Sequence, residues 1–565
     1  MPAASSTKQL PIQPALLQRF RLGGVSLKDD LVAGITVSLV AIPQSLAYAQ
    51  LAGVPAYFGL YAALIPTVVG ALFGSSRQLS TGPVAMTSLL TAASVAPLAA
   101  HGSEAFYSYV ILLALLSGVF QIVFGVLRAG ILLNFLSHPV LMGFINAAAL
   151  IIGLSQLPTL LGIPAPQSEH FLVDIWQVVS HIDAVHEISL GFGMAAILML
   201  MGFKKFMPRL PGVLITVALL TCVSFTLGFA NMGGRVVGAI PQGLPSFSVP
   251  PLELHATMEL LPAAFVIALI SFMEAMSSAK VIAVKTRQRW DENKELIGQG
   301  LAKVAAAFSH SMPVSGSFSR SALNLASDAK SPLSSVISAV FVLLALLFFT
   351  PLLYHLPKPV LAAIIMMAVI GLINFRTIVN AWHANRDDGI AALVTFVATL
   401  AFAPNIQNGI LTGIILSLSL LLYRMMRPHV AILGMDGDAR LRDAGRHGLP
   451  PLHPKLGAIR FDGALRFVNV SYFEDALLQL ERENPDISHI LVKSSGINEL
   501  DASGVEMLLS LIGRFKNNGV TLAFSGIKPQ VYEVMVRTGL IKTIGEGNIF
   551  ASDQEAWETL RQKLA

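Results

Sequence analysis

The stretch Met312–Asn324 reads M-P-V-S-G-S-F-S-R-S-A-L-N, and its reading decides what kind of fold this chain can have. It holds a Pro, a Gly, five hydroxyl or amide side chains and the full positive charge of Arg320, yet it lies between the apolar runs Leu301–Phe308 and Val336–Phe349. A charge in such a setting is costly, and an ionisable residue at membrane depth is a functional candidate by default. An earlier stretch, Leu79–Leu89 (L-S-T-G-P-V-A-M-T-S-L), has the same build: hydroxyls, a Gly, then a helix start. Helix N-termini present unsatisfied N–H groups and about half a positive charge each. The two stretches are therefore expected to face each other and bind an anion.

Composition sets the solvent around them. Of 565 residues, 54% are hydrophobic and only 13% charged, where a soluble globular chain carries about 25% charged residues. Apolar runs of about 18 residues or more, each able to cross about 30 Å of hydrocarbon, recur from Leu31 to about Leu422. We read fourteen membrane segments, seven within 29–229 and seven within 258–424, after a tail (1–28) that carries Lys8, Arg19, Arg21 and Lys28 and shows no cleavable signal. Short loops on the tail's side hold thirteen Lys or Arg, among them Arg77, Arg128, Lys204, Lys205 and Arg209. The opposite loops hold only Arg235 and Lys358, and the long 158–187 loop has Glu169, Asp174, Asp183 and Glu187 but no basic residue. Both termini are therefore expected in the cytoplasm, with the chain in the inner (plasma) membrane. The formal charge of +5 reflects this topology, and nucleic acid is not an expected partner. Cys222 is the only cysteine, which excludes an internal disulfide and a thiol-ligated metal cluster. No metal-ligand spacing stands out among the histidines.

Two segments are too short. Phe318–Ala329 would give about 18 Å of helix, roughly half a membrane, with the Ser-, Gly- and Pro-rich 309–317 crossing the rest extended. Likewise Phe73–Thr81 precedes a helix expected to start near Pro83, where proline suits a first turn. Gln44 lies 38 residues before Gly82, and Glu274 lies 42 residues before Gly316. Each half thus has a polar residue in its first segment and a broken helix in its third, as an inverted repeat would. Interrupted segments at matching positions of two halves point to a transporter's binding site.

From about Met425 the composition turns polar. We read 425–451 as a linker and 452–565 as a soluble cytoplasmic α/β domain. Its strands are expected at 457–467, 489–493 and 520–525, and its helices at 471–483, 504–517 and 530–538.

Several long motifs resemble the sulfate permease (SulP) family of anion transporters. They are Pro43–Tyr61 (P-Q-S-L-A-Y-A-Q-L-A-G-V-P-A-Y-F-G-L-Y), Phe73–Ala85 (F-G-S-S-R-Q-L-S-T-G-P-V-A), Asp291–Gly300 (D-E-N-K-E-L-I-G-Q-G) and Val314–Asn324. Ile497–Val505 (I-N-E-L-D-A-S-G-V) is similar to the STAS domain that follows in that family. The resemblance implies a fourteen-segment fold shared with uracil permeases, a core domain moving against a gate domain, and a homodimer. The S-F-S-R and P-Q-S-L-A-Y-A stretches look most like the branch with proton-coupled sulfate transporters. The resemblance also places the substrate between the two half-helices, making Thr81, Gly82, Val84, Ala85, Ser317, Phe318 and Ser319 first candidates, although plain helix capping also explains the hydroxyls. Gln44 is expected to line the same pocket, and Tyr48, one turn on, either to join it or only to pack.

Arg320 could hold the anion or pair with Glu274, which lies in the deeply apolar run F-V-I-A-L-I-S-F-M-E-A-M. Glu274 is our candidate for the coupling proton: protonated beside a charged Arg320, it leaves a positive pocket that favours a dianion. Lys303 and Asn146 are read as snorkelling or capping residues. Ser503 matches a phosphorylation site of bacterial regulators that resemble the C-terminal domain, but the cap of the next helix explains it as well. That domain could also hold a cytoplasmic partner.

The expected function is secondary active transport of a small inorganic anion, sulfate entering with protons. Bicarbonate or C4-dicarboxylate transport, sodium-coupled or by chloride exchange, is the alternative, with an anion channel or a sensor as other classes. No G-x-x-x-x-G-K-[ST] loop is present, so direct ATP drive is not expected. Neither an enzymatic activity nor a cofactor is expected.

Overall fold

A computed structural model describes residues 27–130, 137–164, 171–208, 210–250, 252–436 and 440–564. The tail's Lys8, Arg19 and Arg21, together with Glu169 and Arg209, lie outside the described residues. Two compact units divide at Ser417/Leu418.

In the first unit, helices α1 (Leu27–Leu51), α2 (Ala85–Val95), α3 (Glu104–Val126), α4 (Leu254–Thr286), α5 (Glu292–Phe308) and α6 (Phe318–Ala326) surround the two broken stretches. Further helices occur at Ala56–Phe73, His138–Leu161, Glu187–Phe206, Gly212–Leu227, Leu333–Phe348, Lys358–Ala384, Arg386–Ala401 and Gln407–Met426. Among the described residues, eight helices are long and apolar enough to cross a membrane. α6 is shorter than expected at nine residues. α2 starts at Ala85 rather than near Pro83, because Val84 is extended (φ −139°, ψ 155°).

The broken stretches do meet. Strands β1 (Ser80–Gly82) and β2 (Ser315–Ser317) form an antiparallel ladder with Ser80 opposite Ser317, Thr81 opposite Gly316 and Gly82 opposite Ser315. The cause is local chemistry combined with the surroundings. Pro83 and Pro313 disfavour helix at the residues before them, and backbone left unpaired at membrane depth costs several kcal/mol per group. Each stretch supplies the partner that the other lacks. α2 and α6 then leave from opposite ends of this ladder, so their N-termini flank it.

Close backbone packing holds the frame. A Cβ on Gly300 of α5 would stand 2.7 Å from the Gly118 carbonyl oxygen of α3. One on Gly316 of β2 would stand 2.9 Å from Ala275 Cα of α4. The small residues let α3 touch α5, and β2 touch α4, without intervening side chains.

The second unit is an α/β fold whose six-stranded sheet runs β4-β3-β5-β6-β7-β8, with β5 to β8 parallel. β5 (Leu456–Asp462), β6 (His489–Lys493) and β7 (Thr521–Ser525) match three expected strands, and helices Val470–Glu483, Ala502–Asn517 and Pro529–Arg537 match the expected helices. The stretch 425–451, expected as a linker, contributes two further strands, β3 (His429–Met435) and β4 (Leu441–Asp443). β3 pairs antiparallel with β5 and buries Ala431 and Leu433 against the sheet's core. Its short His-Val-Ala-Ile-Leu run is weakly periodic, so only the pairing reveals it. β8 (Ile549–Phe550) and a helix at Asp553–Leu564 close the other edge.

Candidate functional site

Arg320 is 2% exposed and ties the two half-helices together. Its Nη1 donates to the Pro83 carbonyl oxygen at 2.9 Å and, at a longer 3.5 Å, to Gln44 Oε1. Its Nη2 has no hydrogen-bond partner among the described residues, and a Cβ on Gly82 would stand only 2.9 Å from that atom. Gly82 is thus the residue that leaves the guanidinium room at the start of α2. No ion pair joins Arg320 to Glu274 among the described residues; the arginine's hydrogen bonds go to Pro83 and Gln44 instead.

The other candidates divide into packed and open ones. Gln44 and Tyr48, one turn apart on α1, are both buried, and Tyr48 lies within electrostatic reach of Arg320 and Glu274. Gln44 also lines a cleft of about 240 Å³ with Phe203, Lys204, Val213, Ile364 and Met367. Thr81, Val84, Ala85 and Ser317 are buried, whereas Phe318 is 60% exposed and Ser319 is exposed. Ser317 Oγ accepts from the Arg320 backbone N–H at 3.4 Å, the capping role that its residue type allows. Ser319 Oγ lies 3.4 Å from Ser317 Oγ. Side chains further along α6 serve the first stretch. Ser321 Oγ accepts from Ser80 N at 2.9 Å, and Asn324 Nδ2 donates to the Gln78 carbonyl oxygen at 3.1 Å.

Two buried groups that sequence reasoning passed over hold β1 in place. Glu295 of α5 accepts the backbone N–H groups of Ser75 (2.7 Å) and Ser76 (2.9 Å) through Oε2, and Gln299 Nε2 (3.1 Å) through Oε1. Gln299 Nε2 also donates to Thr81 Oγ1 at 2.8 Å. Both residues stand in the D-E-N-K-E-L-I-G-Q-G motif at i, i+4 spacing, which was a signal for a shared face, but their partners lie over 200 residues away. Glu295→Ala is expected to lower stability by about 3 kcal/mol, because it strands buried donors. Thermal unfolding of the purified protein in detergent checks this, and an unchanged midpoint would refute it.

Glu274 sits on α4, half-buried, and its Oε2 has no hydrogen-bond partner among the described residues. Ser315 Oγ of β2 donates to the Ser271 carbonyl oxygen at 2.8 Å and also stands beside the Glu274 carboxyl. Among the described residues, Arg320 and Lys303 lie within electrostatic reach of Glu274. Lys303 is not a snorkelling residue. It is fully buried, and its Nζ donates to Gln121 Oε1 of α3 and Ser271 Oγ of α4, both at 2.8 Å. Gln121 Nε2 in turn donates to Ser271 Oγ and the Ala268 carbonyl oxygen, both at 2.9 Å. Asn146 is likewise buried, and its side chain bonds the Asn374 backbone N–H at 2.7 Å.

In the second unit the cap of the Ala502–Asn517 helix is Asp501 rather than Ser503. Asp501 Oδ1 accepts from Gly504 N at 2.9 Å, and Oδ2 from Phe467 N at 2.8 Å. Capping falls to the residue just before the first turn, and Ser503 lies two positions inside it, half-buried.

An apolar helical unit with two broken helices meeting at a strand ladder, followed by an α/β unit, defines a class: multi-pass membrane transporters with an appended α/β domain. The chain belongs to the sulfate permease family, whose pattern matches residues 27–420, and the STAS domain matches residues 451–556. It is 34% identical over 549 residues to the probable sulfate transporter 4.2 of Arabidopsis thaliana, covering 94% of this chain and 80% of that one. It is 31% identical over 539 residues to a probable sulfate transporter of Mycobacterium tuberculosis, covering 95% and 96%. The fold is similar to that of murine Slc26a9, an anion transporter in its inward-facing state, with a TM-score of 0.88 at 20% identity over 98% of this chain and 93% of that one. Members of this family are transporters, so the chain is a transporter and not an enzyme.

Proposed function

We propose that this chain takes up sulfate together with protons by alternating access. The observation that carries the reading is the buried Arg320, whose unpartnered Nη2 points to the start of α2 while its own helix starts beside β2. Two helix N-termini and a guanidinium form a site for a small, multiply charged anion. The relatives named as sulfate transporters in a plant and a bacterium support sulfate as that anion.

Glu274 takes the coupling proton. Ionised, it opposes an anion bound beside it; protonated, it leaves Arg320 to attract one. Proton and sulfate therefore promote each other's binding, as linkage requires of two coupled ligands. In this reading the cleft lined by Gln44 and Lys204 is the route by which the anion reaches the site.

The remaining features belong to the same reading. Residues 29–424 form a transport domain of fourteen crossings, with inverted repeats at about 29–229 and 258–424. The chain sits in the inner (plasma) membrane as a homodimer with both termini cytoplasmic. The STAS domain, whose sheet also takes in the two strands of 429–443, binds a cytoplasmic partner and offers Ser503 for regulatory phosphorylation.

Radiolabelled sulfate uptake into proteoliposomes under imposed proton, sodium and chloride gradients, with bicarbonate and C4-dicarboxylates as competitors, tests this. Uptake is expected to follow the proton gradient. No sulfate uptake under any gradient would overturn the substrate assignment. Binding without uptake would favour a sensor.

A further inference from the structure

A fully buried lysine amine among neutral partners needs an explanation, and Lys303 has one within reach. Gln121 Oε1 and Ser271 Oγ are uncharged acceptors that orient its Nζ. They do not compensate its charge, and burying an uncompensated ammonium is strongly unfavourable. Among the described residues, the carboxylate acting on Lys303 is that of Glu274, which also feels Arg320. Among the described residues, the charged or titratable groups within electrostatic reach of Glu274 are therefore Tyr48 from α1, Lys303 from α5 and Arg320 from α6.

The lysine is reached through an unusual contact. α3 and α5 touch backbone to backbone at Gly118 and Gly300, one turn from Lys303, and a Cβ on Gly118 would stand 2.9 Å from Lys303 Cβ. The close approach leaves the side chain a narrow path toward α4, where Ser271 accepts from it less than one turn before Glu274. Ser271 is also the residue whose carbonyl oxygen holds Ser315 of β2. Lys303 and Ser315 of the strand ladder thus share Ser271 as an anchor on α4, and Lys303 lies within electrostatic reach of Glu274.

We infer that Lys303 is a specificity-determining residue, supplying a second positive charge that makes the site select a dianion over a monoanion. This rests on the proposal that the half-helix site carries sulfate with a proton on Glu274. With Lys303 and Arg320 charged and Glu274 protonated, a bound dianion brings the site to neutrality, whereas a bound monoanion leaves one positive charge uncompensated at low dielectric. With Lys303 neutralised by substitution, the same arithmetic makes a monoanion the neutral occupant. Because a dianion feels any fixed charge twice as strongly as a monoanion, losing this one weakens sulfate more than nitrate. It also assigns a role to Gln121 and Ser271, which hold the ammonium at a set distance from Glu274.

The test compares sulfate and nitrate affinities of the purified full-length protein, read as anion-dependent shifts in thermal unfolding near pH 6. The parent and the variants Lys303→Gln and Lys303→Arg are compared. Lys303→Gln is expected to lose about tenfold or more in sulfate affinity relative to nitrate, and Lys303→Arg to restore the preference. A purely structural lysine would lower unfolding temperature and both affinities together, so an unchanged sulfate-to-nitrate ratio in Lys303→Gln overturns the inference. If Lys303→Gln does not fold, sulfate–sulfate exchange by the parent decides. A neutral loaded site predicts exchange insensitive to membrane voltage, and strong voltage dependence overturns it. A parent that neither binds nor takes up sulfate refutes the functional reading itself, a result separable from an unchanged ratio in a sulfate-binding parent.

Discussion

Sulfate binding and uptake are expected to fall roughly a hundredfold in Arg320→Gln, since truncating one partner of a buried charge pair costs about 2–5 kcal/mol and about 1.4 kcal/mol is tenfold. Two effects combine. The dianion loses a charge-assisted donor at the start of α2, and the Pro83 carbonyl oxygen loses the Nη1 donor that now reaches it at 2.9 Å. Arg320→Lys keeps the charge but not the planar fork, so it should retain part of the binding while failing to serve Pro83 and the anion at once. Isothermal titration with sulfate, beside size-exclusion and thermal unfolding to confirm folding, measures this. A well-folded Arg320→Gln that binds sulfate like the parent would remove the arginine from the site and leave it a strut between α1, α2 and α6.

Glu274→Gln is expected to abolish accumulation of sulfate driven by a pH gradient while preserving sulfate binding. The amide mimics the protonated carboxyl in shape and charge, so the site is held permanently in the form that accepts the dianion. Two unit charges about 6 Å apart at an effective dielectric of about 20 interact by about 3 kcal/mol, and twice that for a dianion. An ionised Glu274 is therefore able to govern whether sulfate stays bound. In the parent, sulfate affinity should fall as pH rises through the ionisation of Glu274; in the variant it should be flat. Counterflow, which needs no net proton movement, should survive. Uptake by Glu274→Gln that still follows an imposed pH gradient would sink the coupling role and direct attention to Lys303 or Tyr48.

Much of this site was legible in the chain because its signals are local. Met312–Asn324 and Leu79–Leu89 stand out since Pro, Gly and hydroxyls interrupt apolar runs, and an interruption is visible within ten residues. Arg320 and Glu274 stand out because charges in apolar surroundings are rare. The same logic misplaced Lys303. A lysine on a helix that starts D-E-N-K-E reads as an amphipathic end, and its length makes snorkelling plausible; only the contact of α5 with α3 denies it a route to water. Glu295 and Gln299 were visible as a helical pair but not as the clamp on 75–81, and Ser503 was weighed as a cap although Asp501 takes that position. The strands in 429–443 were missed because β3 gains its meaning only by pairing with β5.

By itself the amino-acid sequence determined the solvent, the number of units, the two places where helix must break and the charged residues stranded there. These follow from transfer free energies and backbone preferences, which each short segment carries within itself. The tertiary structure alone decided that β1 pairs with β2 in the register that sets Gly82 opposite Ser315, that the Arg320 guanidinium spans to Pro83, and that Lys303 joins Glu274's surroundings instead of water. Each of those contacts joins atoms that are distant along the chain, and which of many possible partners a buried donor takes is settled by how close the helix backbones can approach.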